Sequence, residues 1–111
     1  MNVLGTEYKI FYEPNNSGNP KMEGADGYCE TEAHEIHIAR DMFEGESKDP
    51  KVLKNIGEYG KKVLRHEMVH AFITESGLSE CCEWARSEEL VDWIARQFTK
   101  MEKCFKEAKI N

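Results

Sequence analysis

The chain has 111 residues, 40% of them hydrophobic, with 21 acidic and 15 basic side chains and a formal net charge of −6. That is the size and composition of one small globular domain over residues 1–111, and an acidic balance argues against nucleic acid as a partner, because phosphate binding needs clustered Lys and Arg. No stretch approaches the roughly 18 apolar residues of a membrane span, and the opening MNVLGTEYKIF lacks the basic start and the apolar run of about 7 to 15 residues of a secretory signal. A cytoplasmic protein with no membrane partner is expected.

Residues 3 to 12, VLGTEYKIFY, read as one strand with alternation at Tyr8, Ile10 and Tyr12, closed by the turn-formers PNNSGNP. After EGADG, residues 28 to 40 read as a hairpin whose last strand is HEIHIA, with Ile36 and Ile38 on one face and Glu35, His37 and Ala39 on the other. The acidic tract from Glu44 to Asp49 reads as a solvated connector.

Asp49 and Pro50 suit an N-cap and a first helical position. Val52, Leu53, Ile56, Val63, Leu64, Met68 and Phe72 then recur at helical spacing until Gly77. Gly57 and Gly60 each cost about 1 kcal/mol relative to alanine in a helix interior. A bend or break is therefore expected there, with the uninterrupted part starting near Lys61. A second helix is expected from Ser87 to Lys106, its apolar stripe formed by Leu90, Ile94, Phe98, Met101 and Phe105.

The first helical region carries RHEMVH, residues 65–70. Helix positions four apart lie about 40° and 6 Å from one another, so His66 and His70 present their rings side by side and can hold one ion. Glu67, about 100° further round than His66, falls beside such an ion, within reach of its water. The apolar flanks Val63, Leu64, Met68, Val69, Ala71 and Phe72 make this a half-buried helix, where two histidines need polar partners.

A catalytic zinc site takes three protein ligands and a water. No histidine follows His70, so the third ligand must come from elsewhere, and the acidic start of the second helix offers Glu88 and Asp92, four apart on one face. The rival reading makes Glu88, Glu89 and Asp92 a solvated first turn favoured by the helix dipole.

H-E-x-x-H followed by Glu-x-x-x-Asp on the next helix resembles the gluzincins, the thermolysin-type metallopeptidases. In so short a chain it is similar to their minimal relatives encoded by prophages and mobile elements. LRHEMVHAFITESGL and SEELVDWIARQF carry the likeness, about a third of the chain. The resemblance implies a zincin-like α+β fold, in which a small, mostly antiparallel sheet packs on the H-E-x-x-H helix and the glutamate helix lies beside it. It further implies Zn2+ held by His66, His70 and Glu88, Glu67 as general base, and Asp92 fixing a ligand histidine from behind. Glu89 is the rival third ligand. It also implies an edge strand along the cleft, a place that HEIHIA would fill, and hydrolysis of a peptide or protein substrate. The donor for the developing oxyanion stays open among His34, His37, Tyr28 and Arg96.

Trp84 and Trp93 read as core or rim packing. Peptide deformylases share H-E-x-x-H with an upstream cysteine ligand, but Cys29 in GYCET does not sit in that family's surroundings. The other alternative is a non-catalytic or regulatory protein on a zincin scaffold, such as a mobile-element regulator, with a structural zinc. The four cysteines, Cys29, Cys81, Cys82 and Cys104, contain no CxxC spacing and are expected to be reduced. Oligomeric state has no signal in the sequence.

Overall fold

The computed structural model describes residues 1–14, 18–40 and 56–111. The expected helix start at Asp49 and Pro50, the apolar positions Val52 and Leu53, and the acidic tract 44–49 lie outside the described residues.

The first strand expected over residues 3 to 12 is divided. Asn2–Val3 (β1) and Thr6–Glu7 (β2) form a two-stranded antiparallel hairpin, and Lys9–Glu13 (β3) belongs to a separate sheet. The break is a tight turn at Leu4 and Gly5, both with positive φ, 49° and 96°. The Asn2 side chain accepts a hydrogen bond from the Gly5 amide at 2.9 Å. Two positive φ values at the centre of a two-residue loop match the twist of paired strands. The division also breaks the expected alternation: Tyr8 is fully buried and Tyr12 is 44% exposed.

Gly27–Glu30 (β4) and Glu35–Ala39 (β5) pair antiparallel, as the hairpin reading expects, and β3 adds to β5 in parallel. The strand order is β3-β5-β4. This sheet is therefore mixed, and HEIHIA is its centre, not its edge. The period-two reading of β5 holds: Ile36 and Ile38 are fully buried, and Glu35, His37 and Ala39 are only partly so.

Ile56–Glu75 (α1) is one helix, running through Gly57 and Gly60 without the expected break. Gly60 is buried and Val63, one turn on, packs in the core, so tertiary contact offsets the low propensity of glycine. A short helix, Leu78–Cys81 (α2), and a 3₁₀ turn at Glu83–Arg86 lead to Glu88–Glu107 (α3). Ser87 caps α3, its hydroxyl accepting from the Leu90 amide at 3.3 Å.

The architecture is a compact α+β fold in which α1 packs on β4, β5 and α3. Val3, Tyr8, Ile36, Ile38, Val63 and Ala71 form the main core, and Ile73, Ala85 and Val91 a second one under the α2–α3 connection. The stripe expected on α3 is displaced. Val91 and Ala95 are the residues it buries, while Phe98, Met101 and Phe105 are 54%, 41% and 40% exposed. Trp84 and Trp93 are also exposed, at 55% and 53%, so neither is a core residue. Among the described residues no helix is long and apolar enough to cross a membrane.

Candidate metal centre

His66 and His70 lie one turn apart on α1 with ring centroids 5.0 Å apart. The N-terminus of α3 packs against that turn and brings in Glu88. Its Oε2 is 2.8 Å from His66 Nε2 and 3.2 Å from His70 Nε2. Donor atoms from these three residues all fall within 4.8 Å of one another, and among the described residues they are the group able to hold a metal ion.

The spacing can be tested against an ion. Zinc bound tetrahedrally at about 2.0–2.1 Å sets its ligand atoms about 3.3 Å apart. The two Glu88 distances, 2.8 and 3.2 Å, are close to that, and two imidazoles with one carboxylate are a donor set known from catalytic zinc sites. The residues fit the group.

Glu88 side-chain exposure is 71%, against 17% for His66 and 23% for His70. The site is thus walled by the histidines and open on the glutamate side. Burial disfavours ionisation of Glu88, but the hydrogen bond from His66 and the nearby His70 outweigh it and hold its carboxyl below the usual range. Glu89, its rival, is exposed and is not part of the group.

Asp92 lies one turn further along α3. Its Oδ1 is 3.3 Å from His66 Nδ1, the nitrogen facing away from Glu88, and 3.2 Å from Lys62 Nζ. Arg96 Nε donates to Oδ2 at 2.6 Å. Burial works against the charge of Asp92, but Arg96, Lys62 and His66 win and hold its pKa at about 2. An ionised carboxylate behind His66 fixes the orientation of that ring. A further tie between the helices is the bond from Arg65 Nε to the Ala95 carbonyl, 2.7 Å.

Glu67 lies beside His70 and Glu88 and faces β4 of the sheet. It is 8% exposed and is the buried charged residue of the described core. Burial pushes its carboxyl above the ordinary value, against the pull of His66 and His70. With His70, Thr74 and Glu88 it lines a polar cleft of 380 Å³ whose opposite wall is β4 (Gly27, Tyr28 and Cys29) with Thr31. The strand along the cleft is therefore β4, the outer strand of the sheet order, in place of HEIHIA. The Cys29 thiol is pushed up to about 12, by burial first and by Glu67 second.

Three of the expected oxyanion donors are engaged elsewhere. His34 occupies the β4–β5 turn at φ 57° with its ring on Tyr8. His37 is sandwiched between Phe11 and Tyr28, centroids 4.9 and 4.7 Å away, and lies 2.6 Å from Glu13. Arg96 is held by Asp92. Tyr28 lines the cleft, but its ring stacks on His37 and its hydroxyl accepts from Asn19 at 2.9 Å. Thr31 and Thr74 are hydroxyl-bearing lining residues that the sequence reading passed over. Thr74 was legible, for it continues the i+4 step of His66 and His70 along one face of α1.

No known family, curated protein or solved structure matches the chain. The weight of any functional reading therefore rests on the site itself.

Proposed function

We propose that the chain is a zinc-dependent metallopeptidase of the gluzincin kind, with His66, His70 and Glu88 as metal ligands and Glu67 as general base. The observation that carries this reading is the convergence of three ligand atoms from two helices, two of whose residues, His70 and Glu88, line one polar cleft with the buried Glu67. A divalent ion held there would supply Lewis acidity, polarising a carbonyl and acidifying water.

The protein's own part is positional and protolytic. An extended peptide lies along β4, whose outer edge offers backbone groups for strand pairing. Glu67, less acidic than an ordinary glutamate because it is buried, takes the proton from the attacking water and returns it to the leaving amine. Asp92 keeps the His66 ring aligned, and the hydroxyls of Thr31 and Thr74, which line the same cleft, are the donors assigned to the charge that develops on the carbonyl oxygen.

The variant Glu67→Gln keeps the shape of the side chain and removes the base. It is expected to retain zinc and lose about 10²–10⁴-fold in hydrolysis of a quenched fluorescent peptide library. Turnover at the wild-type rate would defeat the role given to Glu67. If the wild-type chain binds zinc but cuts no peptide, the regulatory, structural-zinc alternative takes its place.

A further inference from the structure

Cys81 and Cys82 have no role in that reading, yet their sulfurs lie 3.4 Å apart in the connection between the two ligand-bearing helices. Cys81 ends α2 and is exposed; Cys82 is the C-cap and is partly covered, packed against the second core. The geometry points to a modification site: Cys81 and Cys82 close reversibly into a disulfide by exchange with a low-molecular-weight disulfide, and closing it loosens the seat of Glu88. The second half of this proposal rests on the metal reading above; the first does not.

The exchange balances in two steps. The Cys81 thiolate attacks one sulfur of the small disulfide, forming a mixed disulfide and releasing one small thiolate. The Cys82 sulfur then attacks Cys81 Sγ and releases the second. The two protons given up by the cysteines end on the two small thiols, so two cysteines are oxidised and one small disulfide is reduced. Contact with Cys81 holds the Cys82 thiol above its ordinary range, which fits the exposed Cys81 as the first attacker.

Reversibility follows from adjacency. Neighbouring Cα atoms are about 3.8 Å apart across a trans peptide, below the roughly 4.4–6.8 Å that disulfides favour. A bond made there is strained and yields readily to thiols. Closure must also draw the sulfurs in from 3.4 Å to about 2.05 Å, and the backbone has to give.

It gives at a sensitive point. The Cys82 amide bonds to the Leu78 carbonyl at 3.0 Å, and its own carbonyl accepts from Ala85, 1% exposed, at 3.2 Å. The next hydrogen bond, Ser87 N to Trp84 O at 3.2 Å, ends on the cap of α3. Glu88 is the residue after that cap. Cys82 thus sits at one end of a short hydrogen-bonded path whose other end is the third ligand.

The test uses the full chain, reduced and then equilibrated with mixtures of reduced and oxidised glutathione. The four cysteine thiols are expected to fall to two, with the peptide holding Cys81 and Cys82 lighter by two hydrogens, free of adduct, and restored by excess reduced glutathione. Cys81→Ser and Cys82→Ser should each abolish the change, and Cys104→Ser should not. Glutathione adducts, a cross-linked dimer, or four persisting thiols would overturn the site. Zinc retention against a chromophoric chelator is then read on both redox forms and on the Cys81→Ser, Cys82→Ser double variant. About tenfold weaker retention in the oxidised wild type alone supports the coupling. Equal retention overturns the coupling and leaves the metal reading standing; zinc in neither form overturns the metal reading and the coupling together, while the thiol titre still decides the disulfide.

Discussion

Replacing Glu88 and Glu89 separately by alanine divides the metal reading from its plainest rival, a solvated acidic helix start. Both residues sit in the first turn of α3, so both variants lose a similar dipole contribution of about 0.3–1 kcal/mol. What differs is the ion. Structural zinc sites with four donors bind with about 10–16 kcal/mol at neutral pH, or about 3 kcal/mol for each donor. Glu88 is 71% exposed, so water can take its place cheaply and the loss belongs at the low end, about 10²-fold in zinc affinity. Glu89→Ala should stay within about twofold of the wild type. Competition with a chromophoric chelator at pH 7 measures both. Thermal melting of the metal-free proteins supplies the control: the dipole loss and, for Glu88, its exposed histidine contacts come to at most about 2 kcal/mol, so both variants should melt within about 10 °C of the parent. Affinity lost in Glu89→Ala and kept in Glu88→Ala would refute the ligand assignment, and affinity kept in both would refute the idea that α3 contributes to the site.

Two further outcomes concern the frame around the cleft. Gly27→Ala would place a Cβ 2.8 Å from Ile38 Cδ1, 3.0 Å from the His37 carbonyl and 3.1 Å from Val63 Cγ1; the carbonyl cannot move aside alone, so β4 must lift, costing about 1–3 kcal/mol in urea unfolding, and an unchanged midpoint would contradict this packing. Glu75, which accepts from the Tyr8 hydroxyl at 2.8 Å and from Thr6 at 2.9 Å, is held below the usual value of 4.5 by the bond from Tyr8 first and that from Thr6 second. A depressed folded-state pKa stabilises the fold above the unfolded-state value, and that stability is lost as pH falls through the depressed one. Tyr8→Phe should therefore lower the melting temperature most at neutral pH and least in acid; a gap that does not narrow below pH 4.5 would exclude the linkage.

What was legible in the sequence was what repeats locally. The β5 alternation, the start of the second helix near Ser87 and the pairing of His66 with His70 each depend on residues a few positions apart, where backbone geometry leaves little choice. The β1–β2 hairpin was not legible, because Leu4-Gly5 is not an Asn-Gly turn and strands of two residues are too short to show a period. Nor does anything local in HEIHIA distinguish a central strand from an edge; that depends on β3 arriving in parallel from far back in the chain. The apolar stripe of α3 misled for a related reason. Periodicity identifies an apolar face but not how much of it a neighbour covers: α3 buries Val91 and Ala95, and Phe98, Met101 and Phe105 are left exposed.

The same distinction runs through the site. His66 and His70 keep their spacing in any helix that contains them, so two of the three donors are in place as soon as α1 forms. Glu88 joins it only through tertiary structure: the Arg65 bond to Ala95, the ties of Asp92 to Lys62 and His66, and the second core beneath the connection. An ion that binds the three donors together binds the paired helices and not the separated ones, and so stabilises the pairing by mass action, by about 4 kcal/mol when its concentration is 1,000 times its Kd. That is a substantial part of the stability of a small domain, about 5–15 kcal/mol. The contacts that set Glu88 in place are therefore the ones through which binding of such an ion would be linked to folding, and the Cys81–Cys82 pair lies in the chain segment that carries α3 to them.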